Sequence, residues 1–264
     1  MSNKLKEQLQ RMSNVSKNNT DWSKARDLSL YDIIDIEYPF GTRKALKRKE
    51  NSLYEELQAS RGNNFDIEKT EKETVDEIDA ITSAPLSALD GQRLGEILSF
   101  SNMISLDSIK NFIEIGFRVP KFMKIFRDEF GKKVWGYDVV KLNVVLANKL
   151  GFHAFPYDLN DCDKSLTLGC NSLIFCYHVI EHVTDPLKAL KRIYSDMGEN
   201  CYLHVEIPVE EEREIPNYET AHMFAFKAGD LEKMLSLAGF KKVVHCSTHP
   251  DVERFLVTKK VKND

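Results

Sequence analysis

From about residue 105 the chain alternates between short apolar runs and amphipathic stretches of helical period. Phe112–Ile115, Val134–Tyr137, Ala154–Tyr157, Leu173–Cys176 and Tyr202–Ile207 read as strands, short apolar runs bounded by turn residues. Between them, Lys121–Phe130, Val139–Leu150 and Pro186–Met197 read as helices. Gly151 is a stop signal behind the second, and Pro186 suits the first turn of the third. Asp230–Ala238 is a further helix, ended by Gly239. Lys242–Cys246 and Arg254–Thr258 predict a closing antiparallel pair. Repeated β-α units imply an α/β fold: a mostly parallel sheet, seven strands by this reading, with helices on both faces.

The first 95 residues have a different texture, polar and mostly helical in pattern. SNVSKNNTD (13–21) has linker composition. Tyr31–Tyr38 alternates enough for a short strand or a helix start, Thr42–Gln58 reads as a helix, and the acidic stretch Glu68–Ile81 as another. Leu86–Phe100 carries a helical apolar stripe through Leu86, Leu89, Leu94, Ile97 and Leu98. The expected organisation is a mainly helical N-terminal extension over 1–95, serving as substrate cap or oligomerisation element, ahead of a catalytic domain over 96–264.

The net charge of −4 argues against a general polyanion binder, and no aromatic-basic platform suggests nucleic acid. No run approaches the ~20 apolar residues of a membrane span, and MSNKLKEQLQRM lacks a signal-peptide core. The five cysteines form no CxxC pair and are odd in number, which favours reduced thiols and a cytoplasmic location. The basic run Arg43–Lys49 reads as a solvated helix face or a grip for an acidic acceptor, and Glu210–Glu212 with Glu214 as a solvated loop near the substrate side.

The chemistry gathers where strands end. FIEIG places Glu114 and Gly116 at the end of the first strand; a carboxylate inside an apolar strand is costly unless something binds it. The second strand ends in GYD, where Asp138 either accepts ribose hydroxyls or caps the following helix. The third leads to YDL, where Asp158 either meets an adenine amino group or makes a turn. The fourth runs into YHVIEHVTDP, which delivers Tyr177, His178, Glu181 and His182 to the same edge. HVIEH also matches the H-x-x-E-H zinc-protease pattern, but that chemistry needs a helix and here the motif directly follows a strand. A divalent ion held by His178, Glu181 and His182 is a milder alternative; no metal is expected.

FIEIG, GYDVVKLNVVLANKLGF, YDL, YHVIEHVTDP and AHMFAFKAGDLEKMLSLAGF, in this order and spacing, resemble the class I S-adenosylmethionine-dependent methyltransferases over roughly residues 105–264. The resemblance implies a Rossmann-like seven-stranded sheet and S-adenosylmethionine as cofactor, with S-adenosylhomocysteine as product. It implies that Glu114, Gly116, Arg118, Asp138, Asp158, Leu159 and His178 line the cofactor. It departs from the family pattern E-x-G-x-G-x-G at Arg118 and Pro120, which stand where glycines usually do. The Arg118 guanidinium suits the cofactor carboxylate. Pro120 suits a first helical turn.

The expected reaction is in-line methyl transfer to a hydroxyl of a small molecule or a sugar/glycan acceptor. His222, in the loop that lines the substrate pocket in that family, is the first candidate base and His178 the second. Tyr177, His182 and Glu206 are expected to contact the acceptor. A homo-oligomer is compatible with the extension. The competing hypothesis is a non-catalytic methyltransferase-like binding or assembly domain, motivated by Arg118 and Pro120; a metal-dependent hydrolase through HVIEH is a remote third.

Overall fold

In chain order the elements are β1 (Tyr31–Tyr38), β2 (Gly41–Arg48), α1 (Ala88–Ser99), β3 (Asn111–Ile115), α2 (Lys121–Asp128), β4 (Lys133–Asp138), α3 (Lys141–Lys149), β5 (His153–Pro156), β6 (Ser172–Tyr177), α4 (Pro186–Asp196), β7 (Tyr202–Pro208), α5 (Asp230–Ala238), β8 (Phe240–His245) and β9 (Val252–Lys259). The computed structural model describes residues 31–48, 79–80, 82–83, 87–100, 104–161, 164–212, 222–246 and 251–259. The linker-like segment 13–21 and most of Glu68–Ile81 lie outside them.

Seven strands form one sheet in the order β5-β4-β3-β6-β7-β9-β8. β3 to β7 are parallel, and β9 runs antiparallel to both β7 and β8. The central strands are buried on both faces, which is why they read as continuous apolar runs rather than alternating ones. One face packs Phe112, Phe175 and Leu256 against Ile97 of α1, Phe122, Met123 and Phe126 of α2, and Ala147 of α3. Phe112 and Phe126 stack at 4.1 Å there. The other face packs Ile113, Ile174, Leu203 and Val205 against Ala189, Leu190 and Ile193 of α4 and Leu231, Met234 and Leu235 of α5.

The chain leaves β3 towards β4 and β5, then crosses back beyond β3 to β6 and β7. The helices that follow β3 and β6 therefore lie on opposite faces of the sheet, and the switch point falls at the carboxyl ends of these two adjacent strands. In open α/β sheets ligands bind at such a switch point.

The extension departs from the sequence-based expectation. Thr42–Arg48, expected to begin a helix, is strand β2, paired antiparallel with β1. Two cross-strand features outweigh helical propensity. The acidic positions of β1 oppose the polar and basic ones of β2, with Asp35 bonded to Lys44 at 2.9 Å and Glu37 to Thr42 at 2.8 Å. Tyr38–Gly41 then closes the hairpin, with Gly41 at φ +117°. The basic run is accordingly not a solvated helix face.

The hairpin docks on the chain beside the seven-stranded sheet. Ala45 bridges to Phe224, and the Leu46 amide donates to the Met223 carbonyl at 2.8 Å. Arg43 makes a bidentate pair with the fully buried Asp230, both contacts 2.7 Å. Arg43→Ala is expected to destabilise the protein by about 2–3 kcal/mol, under the ~3–5 kcal/mol of a fully enclosed pair, because Asp230 keeps the Lys227 amide. Urea denaturation checks this, and an unchanged midpoint would mean that the hairpin does not depend on Arg43.

Candidate active site

The loop after β3 turns sharply. Gly116 has φ +73°, and a Cβ there would lie 2.2 Å from Val179 Cγ2, so glycine is required for both conformation and space. The same contact shows how closely the loops after β3 and β6 approach. Arg118 also has positive φ (+46°), and its amide donates to Asp138 Oδ2 at 2.8 Å. Asp138 Oδ1 accepts the Val140 amide at 2.8 Å. Asp138 thus clasps the β3 loop to the chain entering α3, and it also accepts from the Asn143 side chain. Burial raises its pKa, partly offset by the Val140 and Arg118 amides, the Asn143 side chain and the Arg118 charge. The Arg118 side chain is exposed, and Pro120 sits at the N-cap of α2.

Glu114, on the α2 side of β3, is buried, and its Oε2 has no hydrogen-bond partner. Burial pushes its pKa well above the usual carboxylate range, against the Met123 amide and the Arg93 charge. An acid in this condition favours a cationic or hydrogen-bond-donating ligand.

His178, at the end of β6, has φ +52°. Its Nε2 lies 2.8 Å from Glu206 Oε1 and its Nδ1 3.3 Å from Glu181 Oε1. Burial works against the imidazolium, but the Glu181 and Glu206 carboxylates outweigh it and raise the pKa to about 9. His178 is therefore a cation at neutral pH. His182 and His222 stand edge to face, ring centres 5.0 Å apart, and His222 Nδ1 lies 3.2 Å from Glu210 Oε2. Glu181 is fully buried beside them and its carbonyl accepts the Met223 and Phe224 amides, fixing the His222 loop to the motif. Glu181, His182 and His222 offer atoms within 4.8 Å of one another that could hold a metal ion. The helix that H-x-x-E-H zinc proteolysis needs is not formed; Ile180–His182 is a single 3-10 turn.

Glu206 is at the centre of a buried ionic cluster that sequence reasoning did not find. It accepts from Arg93 of α1, from Arg254 of β9 and from His178. Burial alone would raise its pKa, but the bonds from His178 and Arg93 and the charges of Arg93 and Arg254 hold it below the usual range. Arg254 also pairs with Glu96, and Arg93 with Asp90 at 3.3 Å. The Arg93 guanidinium lies 4.6 Å from the Tyr177 ring centre. The Tyr177 hydroxyl points back into the sheet, 2.5 Å from His204 Nδ1. Burial, then the Arg254 charge, lowers the His204 pKa to about 3. A glutamate inside the apolar strand YLHVEIP was the available signal, since a buried acid demands partners.

Asp158 is exposed and its Oδ1 accepts from the amide and side chain of Asn160, at 2.8 and 3.0 Å. The turn alternative is thus present in the geometry. Leu159 is buried in the core.

A family model described as a methyltransferase domain matches residues 89–245. The chain belongs to this family and is a class I methyltransferase that uses S-adenosylmethionine. Among solved structures, the fold is similar to that of the [4+2]-cyclase SpnF, with TM-score 0.51, 13% identity and 66% of this chain covering 82% of that one. It is similar to that of the PH0226 protein from Pyrococcus horikoshii OT3, with TM-score 0.50, 10% identity and 66% covering 92%. An S-adenosylmethionine-dependent methyltransferase from Clostridium acetobutylicum ATCC 824 gives TM-score 0.49 at 10% identity, 72% covering 99%. No curated protein matches the sequence significantly. Among the described residues, no helix is long and apolar enough to cross a membrane.

Proposed function

We propose that the protein transfers a methyl group to a hydroxyl of a small-molecule or sugar acceptor, with His222 as general base. The observation that carries this reading is the His222–Glu210 pair at 3.2 Å, on the loop bonded to the YHVIEH motif. Glu210 Oε2 lies beside one ring nitrogen without a hydrogen bond in this geometry, and the other ring nitrogen is left to take the acceptor proton. Bound S-adenosylmethionine would supply an electrophilic methyl on a sulfonium. The buried, unpartnered Glu114 Oε2 fits its ammonium group, and Asp138, beside the turn at Gly116, fits its ribose. Arg118 is assigned to its carboxylate, and Asp158 and Leu159 to the adenine edge. His178, held as a cation by two buried acids, suits a positioning role at the acceptor edge better than that of a base. His182, beside His222, is assigned to the acceptor, and Glu206 would act on it indirectly, through His178; the Tyr177 hydroxyl, turned towards the buried His204, is withdrawn from that role. The β1–β2 hairpin, joined to the 222–226 segment, would limit which acceptors enter, whether in one copy or in a homo-oligomer.

Two measurements test this. Calorimetric titration with S-adenosylmethionine and S-adenosylhomocysteine should show micromolar binding, about −8 kcal/mol, that Asp138→Ala abolishes; full affinity in that variant would remove Asp138 from the site. With an acceptor found by screening hydroxylated small molecules and sugars, His222→Asn should lower kcat by about 10²–10⁴ while cofactor affinity stays unchanged. An undiminished kcat would overturn the base assignment.

A further inference from the structure

We infer that Glu96, His204 and Cys246 form a zinc site on the α1 side of the sheet, behind Tyr177. These side chains come from α1, β7 and the segment after β8, and their ligand atoms lie within 4.8 Å of one another. Two of them are unsatisfied. His204 is fully buried and its Nε2 has no hydrogen-bond partner; Glu96 Oε2 is buried and has none either. The two atoms face each other at 3.8 Å, too far for a hydrogen bond. Leaving two buried polar atoms unpaired is costly, so their convergence calls for a ligand between them.

The geometry and chemistry of the gap suit zinc. Two nitrogen or oxygen ligands ~2.0–2.2 Å from a tetrahedral zinc stand roughly 3.4 Å apart, so the 3.8 Å separation closes with a shift of a few tenths of an ångström. Thiolate, imidazole and carboxylate together form a borderline-soft donor set that favours zinc over magnesium or calcium. Each of two ligands is already oriented by an outer partner. The Tyr177 hydroxyl is 2.5 Å from His204 Nδ1, which directs the lone pair of Nε2 towards the gap when Nδ1 carries the proton. Arg254 holds Glu96 through its other oxygen, Oε1. On binding, the Cys246 thiol loses its proton to solvent and its sulfur bonds the metal; thiolate and carboxylate then neutralise the dication. The Cys246 side is only half-buried, so water can complete the fourth position. The rival cluster of Glu181, His182 and His222 also holds buried atoms without hydrogen bonds, Glu181 Oε1 and Oε2 and His222 Nδ1, but it has no thiol. A metal at the proposed site would tie α1 and the β8–β9 edge to β7.

The test uses the full chain, stripped with a chelator and titrated with zinc and then cobalt. The expected result is one zinc per chain and a thiolate-to-cobalt charge-transfer band. Cys246→Ser, nearly isosteric, should remove the band and weaken zinc binding by at least about 100-fold, since loss of an outer partner alone typically costs 10–100-fold. Absence of stoichiometric binding would overturn the proposal. So would binding that is unchanged in Cys246→Ser, or binding that Glu181→Gln abolishes, which would place the metal in the rival cluster.

Discussion

Gly116→Ala should lower stability by about 2–5 kcal/mol, from ~1–2 for holding an alanine at positive φ and ~1–3 for overpacking. The backbone at Gly116 has φ +73°, and the new methyl would lie 2.2 Å from Val179 Cγ2. For a chain of this size each kcal/mol shifts Tm by roughly 2–4 °C, giving a fall of about 10 °C. The two contributions can be separated because only one involves Val179. Combining Gly116→Ala with Val179→Ala should restore the overpacking part and leave the backbone part, a coupling of about 1–3 kcal/mol in a double-mutant cycle. Strict additivity would mean that the loops after β3 and β6 do not touch, contrary to the packing of Val179 on Gly116. Cofactor affinity should fall with the single substitution, because the loop that must be displaced also carries Arg118, whose amide holds Asp138.

The parts of this fold legible in the sequence are those set by local pattern and by burial. β3, β6 and β7 are buried on both faces, and an apolar run of strand length has few other solutions once helices of 3.6 period flank it. The hairpin was not legible in the same way. Thr42–Arg48 has no apolar alternation of its own; it becomes a strand because β1 supplies opposite charges and because Ala45 and Leu46 are buried against Met223 and Phe224, far away in sequence. The site divides along the same line. Glu114, Asp138 and His178 sit at strand ends, which the sequence marks. Arg93, Glu96 and Arg254 enter only through tertiary register: Arg254 opposes Glu206 across β7 and β9, and α1 must cross that end of the sheet for Arg93 to reach it. Tyr177 could be placed at the edge from sequence, but the direction of its hydroxyl depends on His204, a residue of the neighbouring strand.

Glu206→Gln, although isosteric, should rank with Gly116→Ala among the most damaging changes in the site. The carboxylate is fully buried and accepts from Arg93, Arg254 and His178, so removing its charge leaves buried cations under-compensated. A loss of about 3 kcal/mol is expected, at the lower end of the range for a broken buried pair, because Arg93 keeps Asp90 and Arg254 keeps Glu96. The more discriminating readout is His178. Its folded pKa of about 9 exceeds the ordinary 6.5, so its favourable contribution is complete below 6.5 and is lost as pH rises through 9. The native protein should therefore lose stability across that window. Glu206 has the opposite sign: its folded pKa is depressed, so its contribution is present above the ordinary 4.5 and disappears as pH falls through the folded value. In Glu206→Gln the acid-side loss should vanish, and the His178 midpoint should fall while staying above 6.5, because Glu181 remains at 3.3 Å. Imidazole proton shifts followed by NMR from pH 5 to 10 would measure the midpoint, and denaturation from below pH 4.5 up to pH 10 would measure the stability. A native midpoint near 6.5 would show that the two carboxylates do not hold His178 as a cation. It would return His178 to candidacy as the base, and the argument for His222 would then rest on Glu210 alone.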